Sequence, residues 1–131
     1  MCYCNKVKIL EYLREDGSSP YKRWFDTLPA EAAAKVTVAK LRLERGVTSA
    51  IKWLDGGVGE YKIDWGPGYR IYLAKDGADL IVLFGGGTKK GQNKDILAAQ
   101  ALCQEYKARK AQKRKEEERK RQLEEKNKRK R

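Results

Sequence analysis

Lys62 and Arg70 stand on adjacent predicted strands, ahead of a glycine-rich segment that carries Lys89, Lys90 and Lys94. Histidine is absent from all 131 residues, so imidazole acid–base chemistry is out of reach. Arginine grips a phosphate through two N–H groups, and lysine meets it as a point charge. The run Gly85-Gly86-Gly87-Thr88-Lys89-Lys90-Gly91 precedes a helix predicted to start at Gln92 or Asn93. That arrangement aims backbone N–H groups and the positive end of a helix dipole at the spot the lysines share. The common chemistry is recognition of a phosphate backbone, with or without phosphodiester cleavage. The run is not a nucleotide-binding P-loop, because no Gly-Lys-Ser/Thr follows at the required spacing. Gly57-x-Gly59 and Gly66-x-Gly68 lack the strand–helix context of a dinucleotide fold and read as turns.

Three strands must position these side chains. Tyr61, Ile63 and Trp65 alternate with Lys62 and Asp64, a period of two. Gly66-Pro67-Gly68 turns the chain, and Tyr69, Ile71 and Leu73 then alternate with Arg70, Tyr72 and Ala74. Asp76-Gly77 is a hairpin signal, and the next strand, Leu80–Phe84, is apolar throughout, as for a strand with neighbours on both faces. A three-residue turn pairing Trp65 with Tyr69 would set Asp64 opposite Arg70 and Lys62 opposite Tyr72, all four on one sheet face. Arg70 then reads either as a cross-strand ion pair with Asp64, worth about 0.2–1 kcal/mol, or as a guanidinium held by that carboxylate and aimed at phosphate. Three successive glycines cost backbone entropy. Against the bland reading of a solvated turn, they point to close approach or unusual dihedrals.

Earlier in the chain, Val7, Ile9 and Tyr12 begin a first strand. Ser19 caps and Pro20 opens a short helix to Leu28, which offers Trp24, Phe25 and Leu28 to a core. A second helix runs from Pro29 to about Arg45 and is stopped by Gly46. Ala32, Val36, Ala39 and Leu43 form one stripe of it, with Ala34, Val38 and Leu41 nearly opposite, which predicts a helix sandwiched between the sheet and the first helix. On the last helix Ile96, Leu97, Ala101, Leu102 and Tyr106 are available for packing, and beyond Tyr106 the apolar stripe ends.

The charge is uneven. Residues 109–131 hold 13 Lys/Arg and 5 Asp/Glu, a net of +8, while residues 1–108 hold 17 and 13, a net of +4, summing to +12. The expected organisation is one small domain at residues 1–110 and a basic low-complexity tail at 111–131, either a solvated helix or disordered. Such a balance favours nucleic acid, the ribosome or an acidic protein as partner, against a tail that only aids solubility. Cys2, Cys4 and Cys103 have no disulfide-framework spacing, and Cys2-x-Cys4 lacks the second half of a metal site, so neither metal nor cofactor is expected. The N-terminus has no apolar signal region and no stretch approaches a membrane span, which predicts a cytoplasmic, reduced protein.

The residues support an α+β domain: a four-stranded antiparallel sheet with helices on one face and a basic open face. That order of elements resembles the RelE/ParE toxin superfamily, in particular its HigB-like branch of addiction-module killer proteins. The likeness spans roughly Val7 to Lys110 and is carried by Ser19-Pro20-Tyr21-x-x-Trp24, by Glu60-Tyr61-Lys62-Ile63-Asp64-Trp65-Gly66-Pro67-Gly68-Tyr69-Arg70-Ile71-Tyr72, and by Gly86-Gly87-Thr88-Lys89-Lys90-x-Gln92-x-Lys94-Asp95-Ile96. It implies a RelE-like sheet of about four strands with two N-terminal helices on one face and a C-terminal helix, and a toxin of a type II toxin–antitoxin system. RelE-like members cleave mRNA in the ribosomal A site, whereas ParE-like members inhibit DNA gyrase.

On the RelE-like pattern Lys62 falls on a basic strand position, Arg70 on the strand arginine, and Lys89 or Lys90 on the basic loop. Asp64 replaces a second lysine of that pattern, Asp95 falls where it has a tyrosine, and the histidine that HigB-type members often use is absent. The implied reaction is attack by an RNA 2′-hydroxyl on the adjacent phosphate, with Arg70 and Lys89 or Lys90 as the electrostatic clamp and Lys62 or Asp95 as the base. Tyr72, Gln92 and Lys94 are the expected substrate contacts. Expected partners are mRNA on the ribosome and a small helix-turn-helix antitoxin, with no membrane. The rival readings are a noncatalytic gyrase inhibitor and a basic nucleic-acid-binding module without catalysis.

Overall fold

The computed structural model describes residues 6–130, so Cys2 and Cys4 lie outside the described residues. The buried stripe of the longest N-terminal helix orients everything else. In α2 (Ala30–Glu44), Ala32, Val36, Ala39 and Leu43 are buried, one residue per turn along one side. Gly46, at φ +85°, ends that helix. Ahead of it, α1 (Pro20–Phe25) starts at Ser19, whose hydroxyl accepts from the Lys22 N–H at 3.0 Å and donates to Glu11 at 2.8 Å. The second stripe of α2 finds no cover: Val38 and Leu41 remain about half exposed. The expected sandwich does not form because α1 packs on the sheet instead of over the outer side of α2.

The α+β class holds, but the sheet has five strands and is mixed, not four-stranded and antiparallel. Strands β1 (Lys8–Glu11), β2 (Ile51–Trp53), β3 (Gly59–Ile63), β4 (Tyr69–Lys75) and β5 (Leu80–Gly87) lie in the order β1-β5-β4-β3-β2. β1 runs parallel to β5 and every other pair is antiparallel. The two helices carry the chain from the β1 edge across one face to the β2 edge. That crossover is what sets β1 beside, and parallel to, the last strand. β2 is three residues long, too short for alternation to reveal it.

Period-two alternation sends the apolar side chains of the central strands to both faces. Tyr61, Ile71, Leu73, Ile81 and Leu83 meet Tyr21, Val36 and Leu43 on the α1–α2 side. Tyr72, Ala74, Val82 and Phe84 meet Tyr12, Ala99 and Cys103 on the other, beneath α3 (Gln92–Arg129). The face expected to stand open is therefore largely closed by the last helix. Tyr12 and Arg14 bond Glu105, Arg109 donates to the Leu13 carbonyl at 2.7 Å, and Lys110 meets Asp76 at 2.5 Å, fastening the middle of α3 to the sheet. At 1.5 Å per residue α3 is about 57 Å long, and from residue 111 every described side chain is exposed. The tail is thus a continuation of α3 rather than a disordered segment. Among the described residues no helix is long and apolar enough to cross a membrane, and no group of acidic or cysteine side chains could hold a metal ion.

The three glycines belong to β5, not to a loop, and none has a positive φ. Close approach is their reason. A Cβ on Gly86 would overlap the Trp24 indole and come within 2.6 Å of the Arg70 carbonyl oxygen. One on Gly87 would overlap the Asp95 carboxylate, whereas Gly85 has open space. Gly86→Ala should therefore cost about 1–3 kcal/mol through overpacking. Gly85→Ala should be neutral or stabilise by up to about 1 kcal/mol through reduced chain entropy. Urea denaturation of the two variants compares them directly.

Candidate active site

Residues Asp64–Gly68 join β3 to β4, with Gly66 at φ +57° and Gly68 at φ +77° making the reversal. The register is Ile63 opposite Tyr69, Lys62 opposite Arg70 and Glu60 opposite Tyr72. It differs by two residues from the expected pairing because the connection takes up five residues, not three. A shift of two preserves the face, so Lys62, Arg70 and Tyr72 still project the same way. What changes is the partner of Arg70: Asp64 sits out in the turn, its side chain 88% exposed, and pairs with Lys62 at 3.5 Å.

Arg70 instead lies against Glu60. Its Nε is 3.6 Å from Glu60 Oε1, and both side chains are only 6% exposed. Arg70 Nη1 donates to the Gly68 carbonyl at 2.9 Å, and Gln92 Nε2, from the first turn of α3, donates to Glu60 Oε2 at 2.9 Å. Arg70 Nε and the Tyr72 hydroxyl are buried without a hydrogen-bond partner. Burial foremost, and then the nearby Glu60 carboxylate, push the Tyr72 phenol up strongly. Glu60 was not singled out from the sequence. Its spacing from Lys62 puts both on one face, but nothing in the pattern marks an acid as buried.

Above this group opens a cleft of about 370 Å³ lined by Lys62, Asp64, Trp65, Arg70 and Lys89 with the turn glycines. Trp65 stacks on Tyr69 at 6.2 Å between ring centroids, and the Lys35 ammonium lies 5.8 Å from the Trp65 ring centroid. Three cationic side chains from three separate segments thus converge beside an aromatic ring, a combination suited to a phosphate and an unstacked base.

The other expected residues are placed differently. Lys90 and Lys94 are exposed and do not line the cleft; of the loop lysines Lys89 alone does. Gln92 is engaged with Glu60, and Tyr72 lies buried below. Asp95 folds back over Gly87 and lines a smaller pocket of about 160 Å³ with Trp24, Tyr72 and Gly86. Neither expected base has the surroundings that role needs. Lys62 is more than half exposed beside Asp64, without the burial a lysine base requires. Asp95 belongs to the other pocket.

No family model matches the chain. Over 86 residues, 65% of this chain and 87% of the relative, it is 38% identical to an uncharacterized protein of Haemophilus influenzae. The chain belongs to the same family as that protein.

Burial raises the Asp95 carboxyl above its ordinary value, with Lys94 partly opposing. A folded-state pKa above the unfolded one means that the wild type loses stability as pH rises from the unfolded pKa, about 3.9, through the folded value. Asp95→Asn carries no such charge. Its melting temperature should exceed that of the wild type at neutral pH, with the difference shrinking toward zero below about pH 3.5; thermal melts across pH 3–7 measure it.

Proposed function

We propose that this chain is the toxin of a type II toxin–antitoxin system, a metal-independent endoribonuclease that cuts mRNA on the ribosome. The observation that carries the reading is the convergence of Lys62, Arg70 and Lys89 on one open cleft walled by Trp65. A scissile phosphate in the cleft would lie among three cations, with a neighbouring base against the Trp65 indole that lines it. The RNA 2′-oxygen attacks phosphorus and its proton leaves to an acceptor; the bond to the 5′-oxygen breaks, giving a cyclic phosphate, and that oxygen takes a proton from solvent water to leave as a 5′-hydroxyl. Negative charge grows on the phosphoryl oxygens, where a prepositioned guanidinium acts without reorganising.

A ParE-like gyrase inhibitor is the second reading, favoured by the uncovered Val38–Leu41 stripe of α2, a surface for a protein target. Inducing the protein and mapping 5′ ends of cellular RNA separates the two. Codon-phased breaks support the interferase, and double-strand DNA breaks with intact transcripts support the inhibitor. A helix-turn-helix antitoxin is the expected partner in either case.

Arg70→Ala should lower single-turnover cleavage of ribosome-bound message by about 10²–10³, with the fold checked by circular dichroism. An unchanged rate would remove Arg70 from the mechanism. Deleting residues 112–131 should weaken RNA binding and flatten its dependence on salt, because fewer phosphates are then neutralised; titrations between 50 and about 200 mM salt read the slope.

A further inference from the structure

The structure assigns Glu60 the role of positioning residue for Arg70, with Gln92 as the brace that fixes Glu60. The assignment rests on the reading of the cleft as an RNA-cleaving site. Three elements meet at this carboxylate. β3 supplies Glu60 itself, β4 supplies Arg70 with Nε at 3.6 Å, and α3 supplies the Gln92 amide at 2.9 Å. Gly68 takes a second edge of the guanidinium through its carbonyl. The side chain of Arg70 is thereby held at two points, and its remaining N–H groups are left for a ligand in the cleft it lines. An exposed arginine would sample many rotamers and lose that freedom on binding; this one has lost it already.

A purely stabilising role explains the group poorly. Ion pairs taken out of water seldom stabilise a fold more than apolar side chains of the same volume do. This pair is also incompletely satisfied, since Arg70 Nε is buried without a hydrogen bond. A polar group left unpaired in a folded interior calls for a reason, and use by a ligand or a reaction is one such reason. The Glu60–Arg70 separation is just beyond hydrogen-bond length, and such contacts tighten when a substrate is bound. Glu60 does not line the cleft and touches no substrate; it acts through the guanidinium.

The test compares wild type, Glu60→Gln, Arg70→Ala and the double variant in single-turnover cleavage of ribosome-bound message. Glu60→Gln keeps shape and acceptor oxygen but removes the charge that orients Arg70. The expected result is a maximal rate lower by about 10²-fold, as for displacement of a catalytic group by an ångström, with little change in the protein concentration giving half-maximal rate. The double variant should be no slower than Arg70→Ala alone. Should Glu60→Gln not fold, Gln92→Ala removes only the brace and is expected to lose about tenfold, the lower end for residues that orient a reacting group. A second readout does not require cleavage: nitrogen-15 relaxation of the Arg70 Nε–H, ordered in the wild type and mobile in Glu60→Gln or Gln92→Ala. A wild type that cuts no RNA would remove the nuclease reading, and the relaxation data would still decide whether Glu60 holds Arg70. The assignment is overturned if the substituted protein cleaves at the wild-type rate, if the two losses multiply in the double variant, or if the Arg70 Nε–H stays equally ordered.

Discussion

Everything in this molecule depends on β4 and β5 being covered on both faces. Their side chains alternate between two apolar layers, one under α1 and α2 and the other under α3. Covering both faces leaves little sheet surface for a site, so the cleft is pushed to the end of the sheet, where the β3–β4 turn and Lys89, just ahead of α3, line it. The same crowding explains the glycines of β5. Trp24 lies on Gly86 from one side and Asp95 on Gly87 from the other, so the strand is bare where both layers press closest. Packing and site are one constraint here, because the helix that completes the second layer also sets Gln92 on Glu60, beneath the cleft that Lys89, just ahead of the helix, lines with Arg70.

Electrostatic magnitudes separate the charges around the cleft. Lys62 and Asp64 form an exposed pair of the kind worth at most about 1 kcal/mol, readily exchanged for a stronger partner. Glu60 and Arg70 are withdrawn from water, where stripping one partner from the other typically costs about 3–5 kcal/mol. One cation is therefore mobile and available, and another is fixed in direction. An anion entering the cleft meets Lys89 and Lys62 as adaptable charges and Arg70 as a rigid one. Trp65, steadied by Tyr69, adds a flat wall.

Much of the fold was legible in the residues. The Ser19 cap, the Gly46 stop, the Ala32–Leu43 stripe and the period-two strands around Arg70 reflect local rules that the structure obeys. β2 was not legible, because three residues carry no periodicity and the strand exists only by pairing with β3. The parallel placement of β1 was hidden because it arises from a crossover, not from any local pattern. In the site, Lys62, Arg70 and Lys89 were recognisable from charge and position, and the structure brings them together. Glu60 was not, since burial of an acid is decided by α3 arriving above it. Asp95 was misplaced for a similar reason. Its position in the sequence beside the lysines says nothing of which side of β5 its side chain takes, and the absence of a side chain at Gly87 decides that.

The unbroken course of α3 has a mechanical consequence. Its first turn braces the buried acid, its middle is bolted to the sheet, and its last five turns stand clear in solvent. A stiff rod of this kind conveys angle as well as attraction. Whatever grasps the outer turns is kept at a set distance and bearing from the cleft, as a handle fixes the aim of a tool. A limp tail of the same charge would anchor the domain nearby and leave its orientation to chance.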